Sequence, residues 1–172
     1  MTPKIITSKK INLVGMSFYG DPFRKASGWS EDNEIGQLWK RFDSFLKKYP
    51  DSIKNILIRD VFIEMHIMDN QTNETGKYEV FVGIMVEKLE NIPIQCVVKF
   101  LPLTDYAVFT LKGKQVTETD WWKKVYEEWI PQAGYEISYN YNFQYYDKKF
   151  KGLDKLEESE LDFYFPVKKL KS

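Results

Sequence analysis

The chain has one cysteine, one histidine and no excess of either charge. Cys96 alone cannot form an internal disulfide, and a single thiol with no signal peptide is what a reducing cytoplasm leads one to expect. It sits in Ile94-Gln95-Cys96-Val97-Val98, where a small buried apolar side chain is the expected role. A lone histidine, His66, leaves no second imidazole for a metal site and no Ser-His-Asp context, so no metal and no cofactor is expected. Lys plus Arg number 25 and Asp plus Glu number 25, which argues against a dedicated nucleic-acid surface. No apolar run approaches the roughly 20 residues of a membrane helix. Glycine-rich phosphate loops are absent too, since Lys112-Gly113-Lys114 reads as a turn.

What is abundant is aromatic surface: 11 Tyr, 12 Phe and 5 Trp among 172 residues. More rings than a core of this size requires point to an aromatic-walled cavity, the usual lining of a site for organic molecules. A chain of this length can bury roughly 70% of the surface its unfolded form exposes, and it needs no staple.

The segment from Lys9 to Tyr19 reads as a strand, broken by Gly20-Asp21-Pro22, with a polar loop running on to Asn33. Ile35, Leu38, Trp39, Phe42, Phe45, Leu46 and Tyr49 then recur at helical steps, ending at Pro50. Strands are expected over Ile56 to Met68 and Lys77 to Glu87, joined by a hairpin loop from Asp69 to Gly76. In the first of them Phe62, Glu64 and His66 share one parity. The order then repeats: a strand from Asp105 to Leu111, a helix from Glu118 to Ile130 opened by a Thr117/Asp120 capping box, and strands from Tyr141 to Tyr146 and Leu161 to Val167. Each half reads strand, helix, strand, strand. The expected fold is α+β, a duplicated unit with an approximate two-fold axis, an antiparallel sheet, two main helices and a central cleft. One domain spans 1–172, with modules at about 9–88 and 96–168. Met1 to Ser8 and Lys168 to Ser172 are expected to be loose.

Four blocks in the second half carry a resemblance. Tyr106-Ala107-Val108-Phe109-Thr110-Leu111-Lys112-Gly113, Glu128-Trp129-Ile130-Pro131-Gln132-Ala133-Gly134-Tyr135-Glu136, Phe143-Gln144-Tyr145-Tyr146-Asp147 and Ser159 through Lys168 resemble, in order and spacing, the blocks of GyrI-like effector-binding domains. Gly36-Gln37-Leu38-Trp39 with Phe42 is similar to the first helix of that family, and the resemblance covers roughly residues 8 to 169. It implies a small-molecule site between the two modules, of the kind found in AraC-type and MerR-type regulators that sense lipophilic cations. It also implies a domain able to stand alone as a sensor or sequestering module. Only about ten residues precede the first expected strand, too few for a helix-turn-helix, so direct DNA binding is not expected. Neither is membrane association, and a monomer or weak dimer is anticipated.

The resemblance puts Asp162 at the acidic pocket position of the last strand, where Glu is usual. Partly desolvated among apolar neighbours, such an acid favours a cation over a neutral isostere. Glu64 and Glu79 are the alternative acids, and Gln144 stands where a Glu is common. Trp39 and Tyr126 lie on the two helical stripes, able to hold a cation against a ring face, with core packing as the alternative. Tyr146 and Tyr164 offer hydroxyls; Phe109 and Trp129 are further ring candidates for the site, with core packing as their expected role. His66 is expected at a surface or rim. Two other functions stay open: a small hydrolase with an acid such as Asp162 as general base and Tyr126 or Trp39 positioning substrate, and a protein-interaction module.

Overall fold

The computed structural model describes residues 1–171. Nine strands are β1 (Lys4–Ser8), β2 (Ile11–Gly20), β3 (Phe62–Ile67), β4 (Tyr78–Val86), β5 (Val97–Leu101), β6 (Thr104–Lys112), β7 (Tyr135–Ile137), β8 (Tyr141–Tyr146) and β9 (Glu160–Lys169). All belong to one antiparallel sheet ordered β1-β6-β9-β8-β3-β4-β2-β5, with β7 added beside β9. The run β6-β9-β8 is mirrored by β2-β4-β3 about the β8–β3 seam, as a two-fold relation between the halves demands. Glu64 on β3 stands opposite Gln144 on β8 in the middle of that seam.

β1 and β5 were not expected as strands, and both cross between halves. β1 leads into β2 but pairs with β6, while β5 leads into β6 but pairs with β2. Only Lys9 and Lys10 separate β1 from β2, and only Pro102 and Leu103 separate β5 from β6. Links this short reach only about 10 Å, so the two ends of the sheet are drawn toward each other and the sheet curls. Leu13, Phe81, Leu101, Tyr106 and Phe143 fill the inside of the curl. The loose ends expected from composition are thus corrected: β1 begins at Lys4 and β9 runs to Lys169.

Helix α1 (Glu34–Lys48) lies on the outer face over β2 and β4, burying Leu38, Phe42 and Phe45. Each such burial contributes roughly 1.5–3 kcal/mol. Its N-cap is Asn33, whose Oδ1 accepts from Gly36 N–H at 2.9 Å. The same side chain donates Nδ2–H to Gly28 O at 2.7 Å, tying the preceding loop to the helix end.

The second long helical stretch, residues 121–132, covers the other half. Trp121–Lys124 is α-helical, Val125–Trp129 is π-helical, and Ile130–Gln132 closes the run. Ile130 N–H reaches five residues back to Val125 O. Pro131 has no N–H to give, and in a regular α-helix its ring would press on the carbonyl four residues earlier; the wide turn before it moves that carbonyl aside. The expected capping box is not formed. Thr117 Oγ1 donates to Lys114 O, closing a preceding 3-10 turn, and Asp120 makes no side-chain cap. The expected strand over 56–68 is regular only across β3; Ile56 makes one isolated bridge to Val86. The hairpin loop after it holds a single turn of helix, Thr72–Thr75, ended by Gly76 at φ +67°.

Candidate functional site

The two helices leave the outer face of β3 and β8 uncovered between them. That gap is a cavity of about 1480 Å³. Its floor follows from strand parity: Phe62, Glu64 and His66 from β3 lie beside Tyr146, Gln144 and Asn142 from β8. Trp39 of α1 forms one wall and Trp122 and Tyr126 of the 121–132 helix the other. The loop after β2 closes one end, where Trp29 meets Phe150 from the opposite half at a centroid distance of 6.4 Å. Phe150 stands edge-on to Tyr146 at 5.0 Å, and Tyr146 stands edge-on to Trp39 at 5.0 Å. Rings from both halves therefore make one continuous lining.

The chemistry of the floor centres on Glu64, which is 5% exposed. Trp39 Nε1–H donates to its Oε2 at 2.5 Å, and His66 Nε2 lies 3.0 Å from its Oε1. Tyr146 O–H donates to Gln144 Oε1 at 2.6 Å and lies 3.5 Å from Glu64 Oε2. Burial first, and the Glu64 carboxylate second, push the Tyr146 phenol well above its ordinary pKa. It therefore remains a neutral donor. Among the described residues no lysine or arginine pairs with Glu64. A carboxyl taken out of water and held mainly by neutral donors is incompletely compensated.

Trp39, Glu64, Tyr126 and Tyr146 thus converge on the cavity; the other four candidates do not. Asp162 points to the opposite face of β9, where Thr110 Oγ1–H donates to it at 2.5 Å and Lys149 Nζ at 2.9 Å. The helix-covered face of β9 belongs to Phe163 and Phe165, and strand parity turns Asp162 away from it. Tyr164 shares the Asp162 face, stacked on Phe143 at 4.6 Å; burial, then Asp162, push its phenol up to about 12. Phe109 and Trp129 pack on each other at 5.5 Å in the core under the 121–132 helix. Glu79 is ion-paired with Lys99 at 2.7 Å. His66 is not at a rim but in the floor, its side chain 13% exposed. Cys96 is half-buried rather than enclosed.

Sequence reasoning missed Trp29, Tyr78, Asn142 and Phe150. The parity of β8 carried the signal for Asn142, since it alternates with Gln144 and Tyr146. Nothing local marked Trp29 or Phe150, which come from irregular segments.

A family model described as integron-associated effector binding protein (Cass2) matches residues 4–167. The transcriptional regulator BrlR of Pseudomonas aeruginosa is 27% identical over 168 residues, covering 97% of this chain; the chain spans 56% of the length of BrlR. Among solved structures, SAV2435 bound to tetraphenylphosphonium superposes with a TM-score of 0.68 at 18% identity, over 98% of this chain and 94% of that one. The integron cassette protein VCH_CASS2 of Vibrio cholerae superposes with a TM-score of 0.60 at 16% identity, over 97% and 96%. These two share the fold. With the family model matched across nearly the whole length, the chain belongs to the Cass2 family of GyrI-like, integron-associated effector-binding proteins.

Proposed function

We propose that the cavity binds a lipophilic organic cation, with Glu64 as its counter-charge and the rings of Trp39, Tyr126 and Tyr146 around it. The observation that carries this reading is the buried Glu64 carboxylate, set among aromatic rings and ion-paired with no lysine or arginine among the described residues. A cation entering beside it supplies the missing charge, and ring faces add roughly 0.5–2 kcal/mol of cation–π attraction. The cavity, at about 1480 Å³, exceeds the roughly 300–1,000 Å³ of ordinary ligand sites and suits a bulky guest. SAV2435, which shares the fold, was solved with tetraphenylphosphonium bound. On this reading the chain acts as a sensor or sequestering module for such cations.

Titration followed by tryptophan fluorescence tests it. Tetraphenylphosphonium is expected to bind in the micromolar range, and neutral triphenylphosphine oxide at least about tenfold more weakly, a gap of about 1.4 kcal/mol. Equal affinities would show that charge is not read. In the same assay Asp162→Asn is expected to leave affinity within about twofold, because that carboxylate lies on the other side of the sheet and is neutralised by Lys149. A tenfold loss in this variant would return the counter-charge to Asp162.

A further inference from the structure

Among the described residues the one basic group paired with Glu64 is His66, the only histidine of the chain. Its Nε2 lies 3.0 Å from Glu64 Oε1, and the two side chains are 13% and 6% exposed. Both line the cavity. An ionised carboxylate only accepts, so Nε2 carries the hydrogen of this contact, and Nδ1 is where a second proton would go. Among the described residues Nδ1 bonds to no other protein group, and it is not one of the unpartnered side-chain atoms cut off from solvent.

From β4, the Tyr78 ring stands 5.3 Å from the His66 ring; burial, then Glu64 and Asp21, push its phenol up. On β8 the residue opposite His66 is Asn142, which does not ionise. Beyond it Tyr126 of the 121–132 helix is pushed up by burial. Both phenols stay neutral. In the loop after β3, Asp69 is held low chiefly by the Tyr19 O–H and stays anionic. α1 presents Trp39 to Glu64, while its Lys40 and Asp43 are exposed and paired with Glu31 and Lys47. Asp60 before β3 is exposed, and Asp147 after β8 is paired with Lys149. Histidine is the side chain whose charge changes between about pH 5 and 8, so two cations compete for Glu64: a proton on His66 and a guest.

We propose that His66 is the resident counter-cation of Glu64, so that the cavity exchanges a proton for its guest and lets the guest go on acidification. The inference rests on the cation reading above. With His66 protonated, imidazolium and carboxylate neutralise each other 3.0 Å apart. An arriving cation then finds no free negative charge and a like charge beside the site. With His66 neutral, Glu64 is free to pair with the guest. Affinity is therefore full above the range in which His66 takes up its proton and falls as pH drops through it. One proton is exchanged, so the fall is at most about tenfold per pH unit. By reciprocity the bound guest drives the proton off His66 to the same extent.

Tetraphenylphosphonium keeps its charge at every pH, so any pH dependence of its binding comes from the protein. Its affinity for wild type, by tryptophan fluorescence, is expected to fall about tenfold or more between about pH 8 and about pH 5.5. In His66→Gln, which keeps an N–H for Glu64, the fall should shrink to about twofold. The ratio is read within each protein, so a change in absolute affinity does not enter. NMR of the ring nitrogens adds a readout that a packing role would not move. At about pH 6 the guest should convert the one histidine of wild type from imidazolium toward neutral imidazole. That measurement needs no variant and decides the matter should His66→Gln prove unfolded. A flat wild-type profile, an undiminished fall in His66→Gln, or ring nitrogens that stay as they were overturns the proposal. Glu64→Gln separates the two levels. If this variant weakens binding while the wild-type profile is flat in pH, only the role of His66 falls. If tetraphenylphosphonium binds wild type at no pH, both readings fall together.

Discussion

Glu64→Gln is expected to weaken tetraphenylphosphonium binding by about 2–3 kcal/mol, on the order of 30- to 150-fold. Gln keeps the length of Glu and an oxygen for Trp39 Nε1–H to donate to, so the ring stays placed and the cavity keeps its shape. What disappears is the charge. In a site lined by rings and 5% exposed at this residue, solvent does little to screen that charge. Folding should respond in the opposite direction. A buried carboxyl held mainly by neutral donors opposes folding, and its neutral isostere removes that opposition. The variant is therefore expected to melt no lower than wild type while binding far less. Titration calorimetry beside thermal unfolding reads both quantities. Wild-type affinity in the variant would remove Glu64 from the site, and a lower melting temperature would show that the carboxylate serves the fold rather than the guest.

Gly83→Val should be among the most damaging single changes, at about 3 kcal/mol or more. Gly83 lies in the middle of β4, opposite Gly15 on β2 and Ile63 on β3. The ring of Phe81, two residues earlier and fully buried, lies over this glycine pair. A Cβ at Gly83 would run into that ring and stand 2.5 Å from Val14 O, a backbone atom that cannot step aside. Valine adds two methyls to the same collision. For a domain of this size the loss corresponds to a fall of about 6–12 °C in melting temperature. A melting point within about 2 °C of wild type would mean that the curl is not built on the Phe81–glycine contact.

The helical stripe of α1 was legible because the 3.6-residue period repeats over four turns, and Asn33 and Pro50 punctuate it. The strand–helix–strand–strand order was legible for the same reason, period by period. The crossing strands were not. Lys-Ile-Ile-Thr-Ser in β1 and Val-Val-Lys-Phe-Leu in β5 are too short to show alternation, and their partners lie in the other half of the chain. The wide turn at 125–129 leaves no trace in the apolar pattern either. For the site, parity was available in both acidic strands, but parity alone does not say which face a helix will cover. In β9 the covered face carries Phe163 and Phe165, so the acid between them looks the other way. In β3 the acid itself is on the helix side of the sheet, in the gap the two helices leave open. The family position puts Asp162 ahead of Glu64, whereas the packing turns Asp162 to the far face of the sheet and Glu64 toward the cavity.

The exchange of β1 and β5 gives the chain a hooked construction. Each half lends a ribbon to the far margin of the other, and the halves are also stitched along their common midline. Separating them would bare fresh sheet edges at three places at once, so neither half has a self-sufficient boundary. Any adjustment to a guest must therefore come from its lids, the helices and the loop carrying Trp29, while the woven platform beneath them keeps its form.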